Sequence, residues 1–526
     1  MNNQHVSKPL ARRADGEKPP LNVILITLDD FGYELFIENL ETLPNLKALK
    51  SESVFFENAF SIGAWTLFAF PGIIAGVYPY HFGIGIDRNT KAIDELLKEC
   101  GYNTAFINEL NPLLTPYFGY GMNADYQKYI LNLSQNEGRR RLEDTLLRGG
   151  DAEKAKRALR QPYILNLLKR PYQKIDKSDI EWIRNFVKYC WSAYRFLRLF
   201  RLYLKKEAIT FERRRKLYRE FRNEVLDFIN GHFQSPQFLW IHTVINHVPY
   251  LPPDYSNEFD TREVNYLNCR GVAGFVNRRT CKRLKRLYIE SLKVTDSFIG
   301  DVVGALRMKG LLDNSIIIIT ADHGEEFMEE GYYGHTPESS SDRLLRVPLI
   351  FYCPNIIQNR SISAPVSTID ITPTICDMLG MRIPDSYRGL SLKEILLGTT
   401  EDLKDIQQWG QRSFFSESWH TESLLDRTPG YKTDKKIFTV RNGIYKLKVI
   451  QVQKAENKIV EKLELVNWVK NEKLGVKSNA RVVEHLKHLL SKHIYDEGVF
   501  AQRIRNDAEK HRIKCALGKM RNKLQS

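Results

Sequence analysis

Two pairs of adjacent residues carry the chemistry of a metal centre. Asp322 stands next to His323 in the run TADHGEEF, a hard oxygen ligand beside an imidazole. Asp29 and Asp30 stand together near the start of the chain, ahead of Phe31 and Gly32. Adjacent carboxylates repel one another, and a divalent cation held between them removes that cost. Asp29, Asp30, Asp322 and His323 are therefore read as two halves of one site assembled from distant sequence. Solvated polar turns are the plainer alternative for each pair taken alone.

The residues before each pair favour the metal reading. Ile316 to Ile319 is an unbroken β-branched run, the pattern of a strand buried on both faces. Residues 21–28 (LNVILITL) have the same character. Both predicted strands end on the acidic pairs, at the sheet edge where open α/β proteins bind ligands. Gly324 lets the backbone there come close to a neighbour. Three histidines remain as candidates. His242 falls inside a predicted strand and reads as a core residue. His247, in His-Val-Pro-Tyr, and His335, in Tyr-Gly-His-Thr, fall in loops.

With their flanking segments these residues resemble the sulfatase branch of the alkaline phosphatase superfamily. GAWTLFAFPGIIAGVYP (residues 63–79) resembles that family's nucleophile segment, and WIHTVINHVPYLPP (residues 240–253) resembles its His-x-Pro-Tyr strand and loop. IDELLKECGYNTAFI, RVPLIFYCP, VSTIDITPTICDMLGM, YRGLSL and FTVRNGIYKLKVI continue the match in the expected order. The resemblance covers residues 21–135 and 236–475. It implies an α/β fold with a large, mostly parallel central sheet flanked by helices, and a small C-terminal α+β subdomain. It also implies a divalent metal at Asp29, Asp30, Asp322 and His323, with substrate-binding or leaving-group roles for His247 and His335. Arg441 and Lys446, on a predicted strand pair, are candidate substrate-binding cations.

The nucleophile position of that family falls on Thr66, ten residues before Gly76. Sulfatases carry a Cys or Ser there, oxidised to formylglycine, and threonine cannot form that aldehyde. Its hydroxyl can instead attack phosphorus once a metal lowers its pKa, giving a phosphothreonine. Threonine nucleophiles occur in branches that cleave or transfer phosphate diesters, including phosphoglycerol transferases. Thr66 also fits a helix N-cap. Phe68, Ala69 and Phe70 replace the family's Pro, Ser and Arg. Asn108, Glu109, Leu110 and Asn111 stand where arylsulfatases have Gly-Lys-Trp-His, and Glu109 would repel a sulfate. The resulting expectation is a metal-dependent hydrolase or transferase of phosphate esters, diesters preferred. A sulfuric ester hydrolase and a catalytically silent scaffold for anionic glycans or lipids are the alternatives. Oxygen ligands with one imidazole suit Mn2+ or Zn2+, then Mg2+. Ca2+ ranks below these, because calcium-bearing sulfatases usually place Asn where His323 stands.

At 526 residues and 43% hydrophobic content the chain can build one large unit and a small one. The expected organisation is an N-terminal tail (1–20), a core in two parts (21–135 and 236–401), a basic helical insertion (136–235), and a small C-terminal subdomain with a basic helical tail (402–526). Between Arg139 and Arg222, 25 Lys and Arg stand against 10 Asp and Glu, which accounts for the whole net charge of +15. That helical insertion is broken at Gly149-Gly150, Pro162 and Pro171. From Ile183 to Lys206, Arg184, Lys188, Arg195, Arg198, Arg201 and Lys205 project onto one helical arc. Phe186, Phe196, Leu197, Phe200, Tyr203 and Leu204 occupy the other. Such a helix suits an anionic membrane surface or a polyanionic glycan, and equally a lid packed on the core. No recognition motif for nucleic acid accompanies the charge. Seven scattered cysteines, no secretory leader and no membrane-spanning run suggest a cytoplasmic protein, peripheral to the inner face of the membrane.

Overall fold

The computed structural model describes residues 20–86, 90–109, 111–121, 124–130, 181–204, 210–336, 339–398, 412–419, 432–454 and 459–525. The N-terminal tail, the breaks at Gly149-Gly150, Pro162 and Pro171, and the boundary at 402 lie outside the described residues. So do the side chains of Arg184, Phe186, Lys188, Tyr203, Leu204 and Lys205.

The central sheet contains, among the described residues, β1 (Asn22–Leu28), β2 (Val54–Phe60), β3 (Asn103–Glu109), β4 (Tyr126–Ile130), β5 (Gln237–Thr243), β6 (Ser315–Ala321), β7 (Arg346–Tyr352), β8 (Arg360–Ile362) and β9 (Val366–Ser367). Their order is β4-β3-β5-β1-β6-β7-β2-β8, with β9 also on β2. Only β7 runs against its neighbours. β1, β5 and β6 lie side by side, parallel and buried along their whole lengths. This is why their sequences run apolar without alternation: helices cover both faces. Each isoleucine of Ile316–Ile319 is at most 1% exposed, and burial of such a side chain stabilises by about 1.5–3 kcal/mol. Trp240 of β5 stacks on Phe106 of β3 with ring centroids 3.9 Å apart.

A second, antiparallel sheet follows: β10 (Phe414–Trp419), β11 (Lys435–Asn442), β12 (Tyr445–Gln453), β13 (Ile459–Asn467) and β14 (Glu472–Leu474). One helix, Ala480–Gln525, runs on from it as the helical tail expected from the sequence. His493 ties this helix to β10 through Glu417, at 2.9 Å. The architecture is the α/β class expected from the sequence: a mostly parallel central sheet with flanking helices and a separate C-terminal antiparallel sheet.

Two helices of the basic insertion are described. Glu181–Leu204 lies against Thr261–Ala273, with the Phe196 ring 5.7 Å from Tyr266 and 5.5 Å from Phe275. Leu197, assigned to the apolar arc, is 57% exposed. One apolar side of this helix is therefore spent on its neighbour. Arg195, assigned to the basic arc, donates to the Val272 carbonyl at 2.9 Å. The helix beneath it steadies a loop of interest: Asn268 accepts from Tyr250 N at 2.8 Å and donates to Tyr250 O at 3.1 Å.

The turns after β1 and β6 meet with almost no room. A Cβ on Gly324 would lie 2.1 Å from the Arg343 carbonyl oxygen and 2.8 Å from Gly32 Cα. Both obstacles are backbone, so the glycine serves a close approach between chain segments. Gly324→Ala should lower stability by about 1–3 kcal/mol or more, as forced overpacking does. Urea unfolding monitored by tryptophan fluorescence reads this, and an unchanged midpoint would mean the two turns separate freely.

Candidate functional site

Register builds the site. Leu28 pairs with both Ala321 and Thr243, so Asp29 and Asp322 emerge next to each other at the carboxyl edge of β1 and β6. Asp29, Asp30, Asp322 and His323 are all essentially buried. Asp30 takes a left-handed backbone, φ 60°, which aspartate tolerates better than most residues. His323 N donates to Asp322 Oδ1 at 2.8 Å, leaving Oδ2 to face the imidazole.

The His323 ring divides the cluster. Its Nε2 side meets Thr66 Oγ1 at 3.2 Å, Asp322 Oδ2 at 3.4 Å and Asp29 Oδ1 at 3.8 Å. Its Nδ1 side meets Asp30 Oδ1 at 2.9 Å and the Gly324 carbonyl at 3.0 Å. Both neighbours on the Nδ1 side are acceptors, so Nδ1 carries the proton and Nε2 offers its lone pair. A backbone carbonyl accepting from the far nitrogen of an imidazole, here Gly324 with Asp30 beside it, is a usual support of a metal-binding histidine.

The donor set fits a divalent cation. Donors about 2.1 Å from a tetrahedral ion lie about 3.4 Å apart, close to the separations around Nε2. Asp29 Oδ1 and Asp322 Oδ2 are buried and have no hydrogen-bond partner in the protein. Asp29, Asp322 and His323 form one group able to hold an ion, and Asp30 joins two others, with His323 and His335 or with Asp29 and His247. Electrostatics agree. Burial, and then the charge of Asp29, push the Asp322 carboxyl up to about 6. Burial lowers the His323 imidazole, but Asp322 and Asp30 outweigh it and raise it to about 9. A cation at Nε2 relieves both.

Thr66 opens the helix Thr66–Ala75 as its first residue, and Trp65 occupies the cap position. The N-cap role considered from sequence is thus not its position, and its hydroxyl points at His323 instead. On the other side, His335 Nδ1 lies 2.9 Å from Asp30 Oδ1 and 3.2 Å from Glu325 Oε1. Burial lowers this imidazole, but the two carboxylates hold it well above the ordinary histidine range. His247 donates from Nδ1 to the Val248 carbonyl at 2.6 Å, and its ring centroid lies 5.1 Å from that of His335. Its Nε2 is 4.0 Å from Asp30 Oδ2. Thr66, His247, His335 and the four metal candidates are therefore brought together.

Arg441 and Lys446 go elsewhere. They are directly opposite in the β11–β12 register, and both bind Asp342, Lys446 Nζ at 2.8 Å. Burial raises that carboxyl, but the two cations hold it well below the usual range. Their contacts run to this carboxylate rather than to the His323 cluster.

Glu109 is not aimed where a substrate would sit. It accepts from Arg214 of the insertion helix Phe211–Asp227, from Thr243 Oγ1 at 2.5 Å and from Val244 N at 3.2 Å. Its charge is compensated within the fold, which removes the expected repulsion. From sequence, Glu325, Tyr250 and Asn111 carry no site role, and His242 reads as a core residue. Tyr250 donates to Glu325 Oε2 at 3.2 Å, and Asn111 donates to Asp29 Oδ2 at 2.8 Å. Glu325 sits in the same TADHGEEF run as Asp322, which was the available signal.

Asp322→Ala removes one of the donors around Nε2 and leaves Asp29 without its neighbour. Mn2+ or Zn2+ retained after dialysis should fall from about one equivalent to near zero, read by elemental analysis. Retention of a full equivalent by the variant would move the ion off this donor set.

The family model described as Sulfatase matches residues 21–129 and 116–381. Arylsulfatase K of Bos taurus is 29% identical over 198 residues, covering 37% of this chain and 34% of that protein. An arylsulfatase of Clostridium perfringens is 30% identical over 224 residues, 38% of this chain and 45% of its own length. The matched stretches thus span less than half of these curated relatives. The phosphonate monoester hydrolase SpPMH from Silicibacter pomeroyi shares the fold, with a TM-score of 0.58 at 17% identity over 90% of this chain and 95% of that one.

Proposed function

The chain belongs to the sulfatase family, and we propose that it is a metal-dependent hydrolase or transferase of phosphate esters, diesters first, with Thr66 as nucleophile. The observation that carries this reading is the Thr66 hydroxyl, 3.2 Å from His323 Nε2, the nitrogen that the Asp29–Asp322–His323 group would offer an ion. No cysteine or serine occupies that position, so formylglycine chemistry has no precursor there. The phosphonate monoester hydrolase with the same fold makes phosphorus-centred substrates a natural first choice.

A bound divalent cation, Mn2+ or Zn2+ by the donor set, would neutralise the buried carboxylates and lower the pKa of the Thr66 hydroxyl. Asp29, Asp322 and His323 would hold it, and the Gly324 carbonyl, with Asp30 beside it, keeps the proton of His323 on Nδ1. Thr66 releases its hydroxyl proton to solvent, and Oγ forms a bond to phosphorus as the bond to the leaving ester oxygen breaks. His335, kept protonated by Asp30 and Glu325, or His247 beside it, supplies the proton that the leaving oxygen needs. Water, or an acceptor alcohol in the transferase version, then displaces Thr66 from phosphorus and gives its own proton back to that histidine, while Oγ takes a proton from solvent and the hydroxyl is restored.

Sulfate esters are the second reading, favoured by the arylsulfatase relatives. A panel of aryl phosphate monoesters, diesters, phosphonates and sulfates decides between them. Thr66→Ala should cut kcat/KM for the best diester by more than about 1,000-fold, as loss of a nucleophile does, with metal content unchanged. Thr66→Ser should keep measurable turnover. Wild-type rates in the alanine variant would make water the attacking group and sink the threonine mechanism.

The insertion is proposed to meet an anionic surface, through the side of Glu181–Leu204 that bears exposed Arg198, Arg201 and Leu197. No helix among the described residues is long and apolar enough to cross a membrane, so any contact of this helix is peripheral. Arg198→Gln with Arg201→Gln should weaken sedimentation with phosphatidylserine vesicles at low salt. The difference should shrink at 0.1 M salt and above, where charges are screened within about 10 Å. Equal sedimentation of both proteins at low salt would leave these arginines as ordinary solvated charges.

A further inference from the structure

Facing Asp29 from the β3 and β5 side are two side chains that the proposed reaction does not use, Asn111 and His242. Their hydrogen bonds can be fully assigned, starting from Thr27. The Thr27 hydroxyl accepts from Trp240 Nε1 at 2.9 Å and gives its own proton to the Ile241 carbonyl at 3.3 Å. The same hydroxyl lies 3.0 Å from His242 Nδ1. The group facing His242 Nε2 is the Asn111 amide nitrogen, a donor, so Nε2 is the acceptor and Nδ1 the protonated nitrogen, giving its proton to the Thr27 oxygen. Asn111 matches this pattern. Its Oδ1 is taken by Leu113 N at 3.0 Å, which fixes which way the carboxamide points. Its Nδ2 then has two protons, and two acceptors stand before it: Asp29 Oδ2 at 2.8 Å and His242 Nε2 at 3.1 Å.

The consequence falls on the other oxygen of Asp29. With Oδ2 occupied by Asn111, Oδ1 is the atom turned toward His323 Nε2, buried and without a hydrogen-bond partner. Thr27, Asn111, Trp240 and His242 are all at most 4% exposed, so no solvent competes for these bonds. The His242 ring also packs edge-on against Phe70, on the helix that begins at Thr66, with centroids 5.1 Å apart. One ring therefore touches both the Asp29 support and the nucleophile helix.

We propose that Asn111 and His242 are positioning residues for the metal centre: His242, locked as its Nδ1–H tautomer by Thr27, holds the Asn111 carboxamide, and Asn111 fixes the Asp29 carboxylate so that Oδ1 faces the ion. This rests on the metal-centre part of the proposed function and needs no particular substrate. The chain of bonds is uncharged up to Asp29, so it orients the carboxylate without adding a competing charge. A direct His242 imidazolium would do the opposite, since its Nε2 is only 3.6 Å from Asp29 Oδ2 and would neutralise the ligand.

The test measures binding and tautomer on the full chain, with no substrate present. Mn2+ affinity is read by titration calorimetry in wild type, Asn111→Leu, Thr27→Val and Thr27→Ser, with thermal unfolding to confirm that each is folded. Asn111→Leu should weaken Mn2+ binding by about 10–100-fold, the range for lost support of a metal ligand. Thr27→Val should weaken it by a smaller factor, and Thr27→Ser, which keeps the hydroxyl, should bind as wild type does. Nitrogen chemical shifts of histidine-labelled wild type should show His242 protonated at Nδ1, a measurement that requires no variant to fold. Mn2+ affinities within about twofold across the set, or a His242 protonated at Nε2, would overturn the proposal. Wild type that binds no Mn2+ overturns the centre and this role together. Tight Mn2+ binding without phosphodiester turnover sinks only the phosphoester reading.

Discussion

Asp29 and Asp322 are neighbours because Leu28 and Ala321 are paired in a parallel register, and adjacent strands lie about 4.8 Å apart. No side chain can relax that spacing, since β1 and β6 are buried from end to end. Two carboxylates fixed so closely in a dry environment cannot both ionise without a compensating positive charge. The rise of Asp322 to about 6, caused first by burial and then by Asp29, expresses that conflict. The rest of the site is arranged around it. His323 lends one nitrogen to the crowded side and gives the other to Asp30, and Thr66 reaches the same point from a helix start. A one-residue slip of β1 against β6 would dismantle all of this at once.

Two kinds of chemistry stand on opposite sides of the His323 ring. The Nε2 side gathers oxygen donors and the threonine hydroxyl, which suits an ion and an attacking group. The Nδ1 side gathers Asp30, Glu325 and the histidines 335 and 247, which suits the keeping and delivery of protons. Asp30 serves both halves by contacting His323 and His335 through the same oxygen.

The basic insertion is more than a surface appendage. Through Arg214 it enters the core and answers the buried charge of Glu109, which in turn binds Thr243 and Val244 at the end of β5. Breaking such a pair by removing one partner leaves an uncompensated charge and typically costs about 3–5 kcal/mol. The segment that leads to His247 is therefore tied to the insertion by a charge pair from one side. It is tied to the helix under Phe196 by Asn268 from the other.

The local chemistry was legible in the sequence. Buried β-branched runs ending in Asp29-Asp30 and Asp322-His323 follow from short-range periodicity, which a chain carries on its face. The small C-terminal subdomain and Thr66 as candidate nucleophile came instead from the resemblance of an ordered series of motifs to the sulfatase branch. Partnerships across the fold were not legible. That Glu109 is answered by Arg214, that Arg441 and Lys446 converge on Asp342, and that His242 reaches Asp29 through Asn111 all depend on register and helix docking. A strand histidine reads as core from its neighbours in sequence, and His242 is indeed buried. Only the pairing of β5 with β1 and β3 decides that its buried ring ends beside a candidate metal ligand, because long-range contacts are fixed by packing and leave no spacing in the chain to read.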